Sequence, residues 1–165
     1  LYVGPGLLPR PLRAGGTGSA SESMRQPAML PDRLESGTAN LPGIAGLCQG
    51  IKFVLRHRAA IREYEQILAA RLRAGLRNIP GVTVYGGGEG TPCTGTVSFN
   101  IGEMDSGEAA DRLNEEKICV RGGLHCAPAI HAYLGTSGAV RASLGPYNTE
   151  REVDALLKSV EAMAR

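Results

Sequence analysis

The sequence predicts an α/β protein in which a long helix is followed by a small α+β domain with elements in the order ββαββα. Three observations carry that expectation. Apolar residues from Gly43 to about Asn78 recur at helical spacing. Residues 95–101 alternate, with Val97, Phe99 and Ile101 on one side, as a half-buried strand does. The segment NTEREV places Thr149 and Glu152 at the spacing of a capping box, which opens a closing helix.

The elements divide the chain into three parts. Residues 1–42 show no sustained apolar period and are crowded with Gly, Pro and Ser, so they are expected to be loop-rich. A loop of that length is too long to stand free and needs something to lie on. Residues 43–80 carry Ile44, Leu47, Ile51, Val54 and Leu55, then Ile61, Tyr64, Leu68, Leu72 and Leu76, which reads as one long connecting helix or two with a break near His57. Pro80 and Gly81 end it. Residues 81–165 form the small α+β domain: strands Val82–Tyr85 and Gly95–Ile101, a helix over MDSGEAADRLNEEK capped by Asp105 or Ser106, a short strand ICVR, a strand Ala139–Leu144, and a closing helix with Val153, Leu156, Leu157, Val160 and Met163 inward.

Charge and composition exclude several classes. Eighteen basic against sixteen acidic residues leave a net charge of +2, without the basic footprint of a nucleic-acid or anionic-membrane partner. No apolar run approaches the ~20 residues of a membrane span, and the first residues lack a signal peptide's charged start and apolar core. A cytoplasmic location follows as the expectation. Cys48, Cys93, Cys119 and Cys126 are then thiols by default. The opening LYVGPG reads as the end of a strand entering a turn, so the chain is expected to be a truncated one.

The candidate chemistry centres on RGGLHCAP, residues 121–128. A reactive cysteine needs exposure and nearby positive charge, which a loop with His125 adjacent and Arg121 five residues back offers to Cys126. Gly122 and Gly123 read as a hinge for such a loop. The opposing reading is a buried, inert Cys126 acting as a small apolar side chain. A zinc site from Cys119, His125, Cys126 and His131 has the wrong spacing, because adjacent ligands seldom reach one ion. Arg141 lies in the apolar strand GAVRASLG, where a buried guanidinium needs a partner; a bound carboxylate, a protein acid and a place at the strand's exposed end are all open. GGTGSASES lacks the lysine of a P-loop and reads locally as a flexible loop.

Taken together, the stretches GGTGS, LPDRLESGTANLPGIAGL, YEQ, GVTVYG, VSFNIG, VRGGLHCAP and VRASLGPYNTEREVDAL resemble the C-terminal part of class V aminotransferase-fold enzymes, most closely the cysteine desulfurases and selenocysteine lyases. The resemblance implies a C-terminal portion of a fold type I, pyridoxal 5'-phosphate-dependent transferase, with residues 1–42 contacting cofactor and dimer partner. It implies that Cys126 is the catalytic nucleophile and persulfide carrier, and that Arg141 holds the substrate carboxylate with Arg121 and His125 nearby. It further implies that Thr38 reaches the partner's cofactor phosphate across a homodimer, and that Gly15 and Gly16 lie close to it. The implied partners are L-cysteine or L-selenocysteine, a second copy of the full-length chain and a persulfide-acceptor protein, as in iron–sulfur cluster biogenesis; no nucleic acid, membrane or metal is implied. The family's cofactor lysine matches none of Lys52, Lys117 and Lys158, so the chain by itself is expected to be inactive. Rival readings are an aminotransferase or epimerase of the same fold with Cys126 a bystander, a cofactor-free persulfide-relay module, and a nonfunctional gene fragment.

Overall fold

The computed structural model describes residues 1–88 and 93–165. They divide into two units, Leu1–Leu55 and Arg56–Arg165.

In the first unit the polypeptide up to Asn40 is loop, apart from a single 3-10 turn at Asp32–Leu34. Side chains and backbone tie these loops together in place of regular structure. Gly15 N–H donates to Gln26 Oε1 at 3.2 Å, Gln26 Nε2 donates to the Asp32 carbonyl at 3.1 Å, and Gly37 N–H donates to the Gly16 carbonyl at 2.8 Å. Helix α1, Leu41–Arg77, begins at the end of this segment, where Asn40 Oδ1 accepts from Gly43 N–H at 3.0 Å. It runs unbroken through His57. Its first half carries Ile44, Leu47, Ile51, Val54 and Leu55, each 50–68% exposed.

The second unit contains the rest of α1, strands β1 (Val82–Tyr85) and β2 (Thr96–Ile101), helices α2 (Ser106–Glu115) and α3 (Pro128–Leu134), strand β3 (Val140–Ser143) and helix α4 (Glu150–Met163). The strands form an antiparallel sheet in the order β1-β2-β3, with Val84 opposite Phe99 and Phe99 opposite Val140. One face of the sheet, with Val97, Phe99, Ile101, Val140 and Ala142, is buried together with Leu68, Leu72 and Leu76 of α1, Ala109 and Leu113 of α2, and Val153, Leu156 and Val160 of α4. Alternation puts Ser98, Asn100 and Arg141 on the opposite face. Helix α4 is fastened to α1 by a bidentate Arg71–Asp154 pair and by Tyr64, whose hydroxyl donates to the Asn148 carbonyl at 2.9 Å. Asp105 caps α2, accepting from Gly107 and Glu108 N–H, and the Thr149–Glu152 capping box is complete at α4.

Two elements differ from the expectation. ICVR is not a strand: Arg121 alone pairs, in an isolated bridge with Arg141. Lys117 at φ 66° closes α2, and Ile118 N–H bonds back to the Leu113 carbonyl. The chain thus leaves the helix along a line that a cleft of about 370 Å³, lined by Ile118, Cys119, Val120 and Ala142–Leu144, separates from β3. The third strand of the ββαββα order is therefore reduced to a single bridge. Helix α3 is an addition, bounded by Pro128 in its first turn and Gly135 at φ 66° after its last.

Candidate functional site

Cys126 stands at the tip of a tight turn. Ala127 N–H donates to the Leu124 carbonyl at 2.9 Å, and the residues between, His125 (φ 52°) and Cys126 (φ 58°), both occupy the left-handed region. Positive φ at both central positions is the mark of a type I′ turn, which favours Asn-Gly. With a Cβ at each position the strain is about 1–2 kcal/mol per residue, and it persists only where the surroundings hold it. The Cys126 thiol is free and exposed, which overturns the reading of an inert buried cysteine.

The diglycine is an anchor rather than a hinge. Gly123 exchanges both backbone hydrogen bonds with Ala139, each at 3.1 Å, and its N–H also lies 3.1 Å from Ser106 Oγ. Gly122 lies against the first turn of α2 so closely that a Cβ there would fall 2.8 Å from Gly107 Cα and closer to the Ser106 carbonyl. Glycine is required by that approach, and only the four-residue turn Leu124–Ala127 is left to carry the thiol.

Two residues before the diglycine ends, Arg121 and Arg141 exchange backbone hydrogen bonds, Arg121 N–H to Arg141 O at 3.1 Å and the reverse at 2.7 Å. Directly opposed residues of an antiparallel pair project from the same face. Two guanidiniums placed this way repel unless an anion lies between them. Neither has an acidic partner among the described residues, and Arg141 Nε is buried without a hydrogen bond. The protein-acid alternative for Arg141 is thereby removed, and the geometry suits a carboxylate ligand.

His125 does not add to the positive charge. Its Nε2 lies 2.9 Å from the Ala139 carbonyl. Burial pushes its pKa down, as do the charges of Arg141, His131 and Arg121, against an opposing contribution from the Ala139 hydrogen bond. The ring is neutral near pH 7, so positive charge at the thiol turn comes from the two arginines. His131 on α3 is buried with its ring centroid 6.0 Å from that of His125. Among the described residues no group of three His, Cys, Asp or Glu side chains is placed to hold a metal ion.

The remaining candidates, Thr38, Gly15 and Gly16, belong to the first unit. Thr38 is exposed and lines a cleft of about 620 Å³ with Arg10, Arg13, Ser36 and Asn40. Hydroxyl, amide and two guanidiniums face a single carboxylate, Glu35, in that lining, a donor set that fits a phosphate. Gly15 N–H is taken by Gln26, whereas Gly16 N–H has no partner among the described residues. A Cβ on Gly15 would come within 3.2 Å of Ser36 Cβ, so glycine lets the two loops meet.

Several contributing residues were not singled out from sequence. Asn100 Nδ2 lies within hydrogen-bond distance of Tyr85 Oη (3.2 Å), Thr136 Oγ1 (3.0 Å) and the Gly138 carbonyl (2.9 Å), holding the segment that pairs with the diglycine. Ser106 serves the same segment through Gly123. Asn100 is a polar position of a cleanly alternating strand, so the pattern gives no signal for it, and the sequence marks Ser106 only as a possible cap of α2.

The segment thus carries an exposed thiol on a strained turn and, a few residues before it, an arginine bridged to a second arginine, neither with an acidic partner among the described residues. The chain belongs to the class V aminotransferase family, whose model matches residues 6–156, and whose members depend on pyridoxal phosphate. It is 34% identical over 171 residues to the cysteine desulfurase of Salmonella newport (strain SL254), covering all of this chain and 41% of that protein. The apo structure of cysteine desulfurase from Thermococcus onnurineus NA1 superposes with a TM-score of 0.74 at 36% identity, over 81% of this chain and 34% of that one. The cysteine desulfurase CsdA (S-sulfonic acid) from Escherichia coli gives 0.71 at 27% identity, over 93% and 38%. The chain thus spans about 41% of the length of the curated relatives it matches.

Proposed function

We propose that this chain supplies the thiol and the substrate-carboxylate clamp of a pyridoxal phosphate-dependent cysteine desulfurase, which converts L-cysteine to L-alanine and leaves a persulfide on Cys126. The observation that carries the proposal is the exposed Cys126 turn next to the uncompensated Arg121–Arg141 pair. Arg141, with its buried unpaired Nε, takes the substrate carboxylate; Arg121 and His125 line the same site. The Cys126 thiolate attacks the substrate sulfur. An S–S bond forms as the substrate C–S bond breaks, and its electron pair stays on carbon, which gains a proton to become the methyl group of alanine. When bound, the cofactor withdraws electrons from the substrate's amino carbon. Thr38 and the Gly15–Gly16 loop would hold its phosphate, in the homodimer by reaching the neighbouring subunit's site. An exposed persulfide is then open to an acceptor protein, and a reducing cytoplasm would keep the Cys126 thiol available between turnovers.

The test is made in a cofactor-loaded polypeptide that contains this chain. Cys126→Ala abolishes sulfide and alanine release while the cofactor's absorbance persists. Arg141→Leu raises KM for L-cysteine by about 30-fold or more, as loss of a buried charge partner does. Undiminished sulfide and alanine release by Cys126→Ala would make Cys126 a bystander, and amino transfer or racemisation without sulfide release in the unaltered protein would replace the desulfurase reading with an aminotransferase or epimerase. Uptake of sulfur by Cys126 from a persulfide donor without cofactor, combined with no release from L-cysteine in the loaded protein, would favour the relay module.

A further inference from the structure

Helix α3 follows the thiol turn directly, and its burial is inverted. Among its described residues only His131 is buried, at 5% exposure, while Ile130, Tyr133 and Leu134 are exposed. Apolar residues are ordinarily the ones turned inward, so a short helix that buries an imidazole instead calls for a reason. The neighbour it meets is His125, with ring planes at 45°. In both rings Nδ1 is buried and without a hydrogen-bond partner among the described residues.

The two orphan atoms complement each other in one arrangement. A carbonyl accepts, so His125 Nε2 carries the hydrogen in its bond to Ala139, and Nδ1 of the neutral ring is an acceptor. The buried unpaired donors available to it are His131 Nδ1–H and Arg141 Nε–H. If Arg141 served His125, His131 Nδ1 would remain unpaired. If His131 serves His125, both imidazoles are satisfied and Arg141 Nε is left for a ligand carboxylate. Buried polar groups are paired as a rule, directly or through water, which favours the second arrangement. Ring centroids 6.0 Å apart leave the ring edges within reach of a direct bond after a small rotation, or of one bridging water.

We propose that His131 is a positioning residue for the thiol: its Nδ1–H, directly or through one water, engages His125 Nδ1, fixes the His125 tautomer that bonds Ala139, and so holds the strained turn that presents Cys126. The consequence for catalysis rests on Cys126 being the nucleophile; the coupling between the two imidazoles does not. Long-range proton–nitrogen NMR correlations of the 165-residue chain at about pH 8, above the histidine range, read the tautomers. His125 is expected as Nε2–H and His131 as Nδ1–H. His131→Asn, which retains an amide donor near the Nδ1 position, keeps the His125 signature and the rate at which iodoacetamide alkylates Cys126, followed by peptide mass. His131→Leu, similar in bulk but without a donor, gives a mixture of His125 tautomers and changes that rate by about threefold to tenfold, the scale of one lost hydrogen bond. Finding His131 as Nε2–H in the unaltered chain, or identical behaviour of the Leu and Asn variants, overturns the proposal. Should His131→Leu not fold, the tautomers of the unaltered chain still decide. Failure of desulfuration with the tautomers as stated would remove the enzymatic reading and leave the coupling standing.

Discussion

Substituting Gly122 by alanine separates an anchored turn from a hinged one. The added Cβ would lie 2.6 Å from the Ser106 carbonyl carbon and 2.8 Å from Gly107 Cα. Carbon atoms rest at about 3.5 Å or more, so the segment and the first turn of α2 must part by roughly 1 Å. Neither side yields cheaply, because both are backbone. Asp105 holds the α2 turn through Gly107 N–H at 2.8 Å and Glu108 N–H at 3.2 Å, and Gly123 is bonded to Ala139 and to Ser106 Oγ. Relief sacrifices the Gly123–Ser106 bond, about 1 kcal/mol, and leaves overpacking strain of about 1–3 kcal/mol.

A loss of about 2–4 kcal/mol lowers Tm by about 8–16 °C in a domain of this size. Circular dichroism reads the melt, and amide exchange at Gly123, Ala139 and Arg141 reports whether the bridge has opened. Gly123→Ala is the control: nothing lies within 4 Å of its Cβ, so its cost is backbone strain at φ 111°, about 1–3 kcal/mol. A Gly122→Ala protein melting within about 2 °C of the parent, with exchange unchanged, would mean the segment gives way freely. The thiol would then ride on a yielding joint, and the account of a clamped turn would be wrong.

Other perturbations have equally definite outcomes. Phe99→Ala empties the centre of the sheet, where Phe99 is fully buried between Val84 and Val140, and costs about 3–5 kcal/mol in urea unfolding. Thr149→Ala removes one half of the α4 capping box and costs about 1 kcal/mol in the same assay. Stability is expected to fall on acidification in two stages. His125 has a folded pKa below the ordinary histidine value of about 6.5, so as pH drops beneath that value the unfolded chain takes up the proton first, and the contribution declines until the folded pKa is reached. Glu152 is held low by the Thr149 backbone N–H, then by the Thr149 hydroxyl and Asn148, so its contribution is intact above the ordinary glutamate value and is lost as pH falls through the folded one. A Tm that rises from pH 7 to pH 5 would contradict the first stage, and an acid limb unchanged in Glu152→Gln the second.

What the sequence made legible were features written in local spacing. The period of Leu68, Leu72 and Leu76 drew α1, the alternation of Val97, Phe99 and Ile101 drew β2, and Thr149 with Glu152 announced α4. Helix α3 escaped because seven residues carry too little periodicity and its apolar side chains point outward. ICVR has the composition of a strand, but whether it pairs is decided by Lys117 and by the approach of Gly122 to α2, neither of which periodicity reports. The same division runs through the site. Cys126 and Arg141 stood out, one by its neighbours and the other as a charge in an apolar run. That Arg121 faces Arg141 follows only from the strand register, and the His125–His131 contact depends on the direction in which α3 leaves the turn.

Between Arg121 and Arg141 the chain departs from local rules several times at once. Two residues with side chains occupy left-handed backbone where Asn-Gly would relieve the strain, two arginines oppose each other across a backbone bridge with no acidic partner among the described residues, and a helix buries an imidazole in place of its isoleucine. Elsewhere in the second unit such departures are scattered singly, as in Lys117 at φ 66° and the buried Arg73, while α2 and α4 are capped and the clustered core is apolar. Each departure lowers stability and each has an obvious remedy: a glycine at 126, a carboxylate opposite Arg141, an exchange of His131 with Ile130. Departures concentrated in one segment, and sharing the effect of holding an exposed sulfur beside uncompensated positive charge, are the pattern expected where structure yields to chemistry rather than to folding. A loop that only joined α2 to β3 would have no use for any of them.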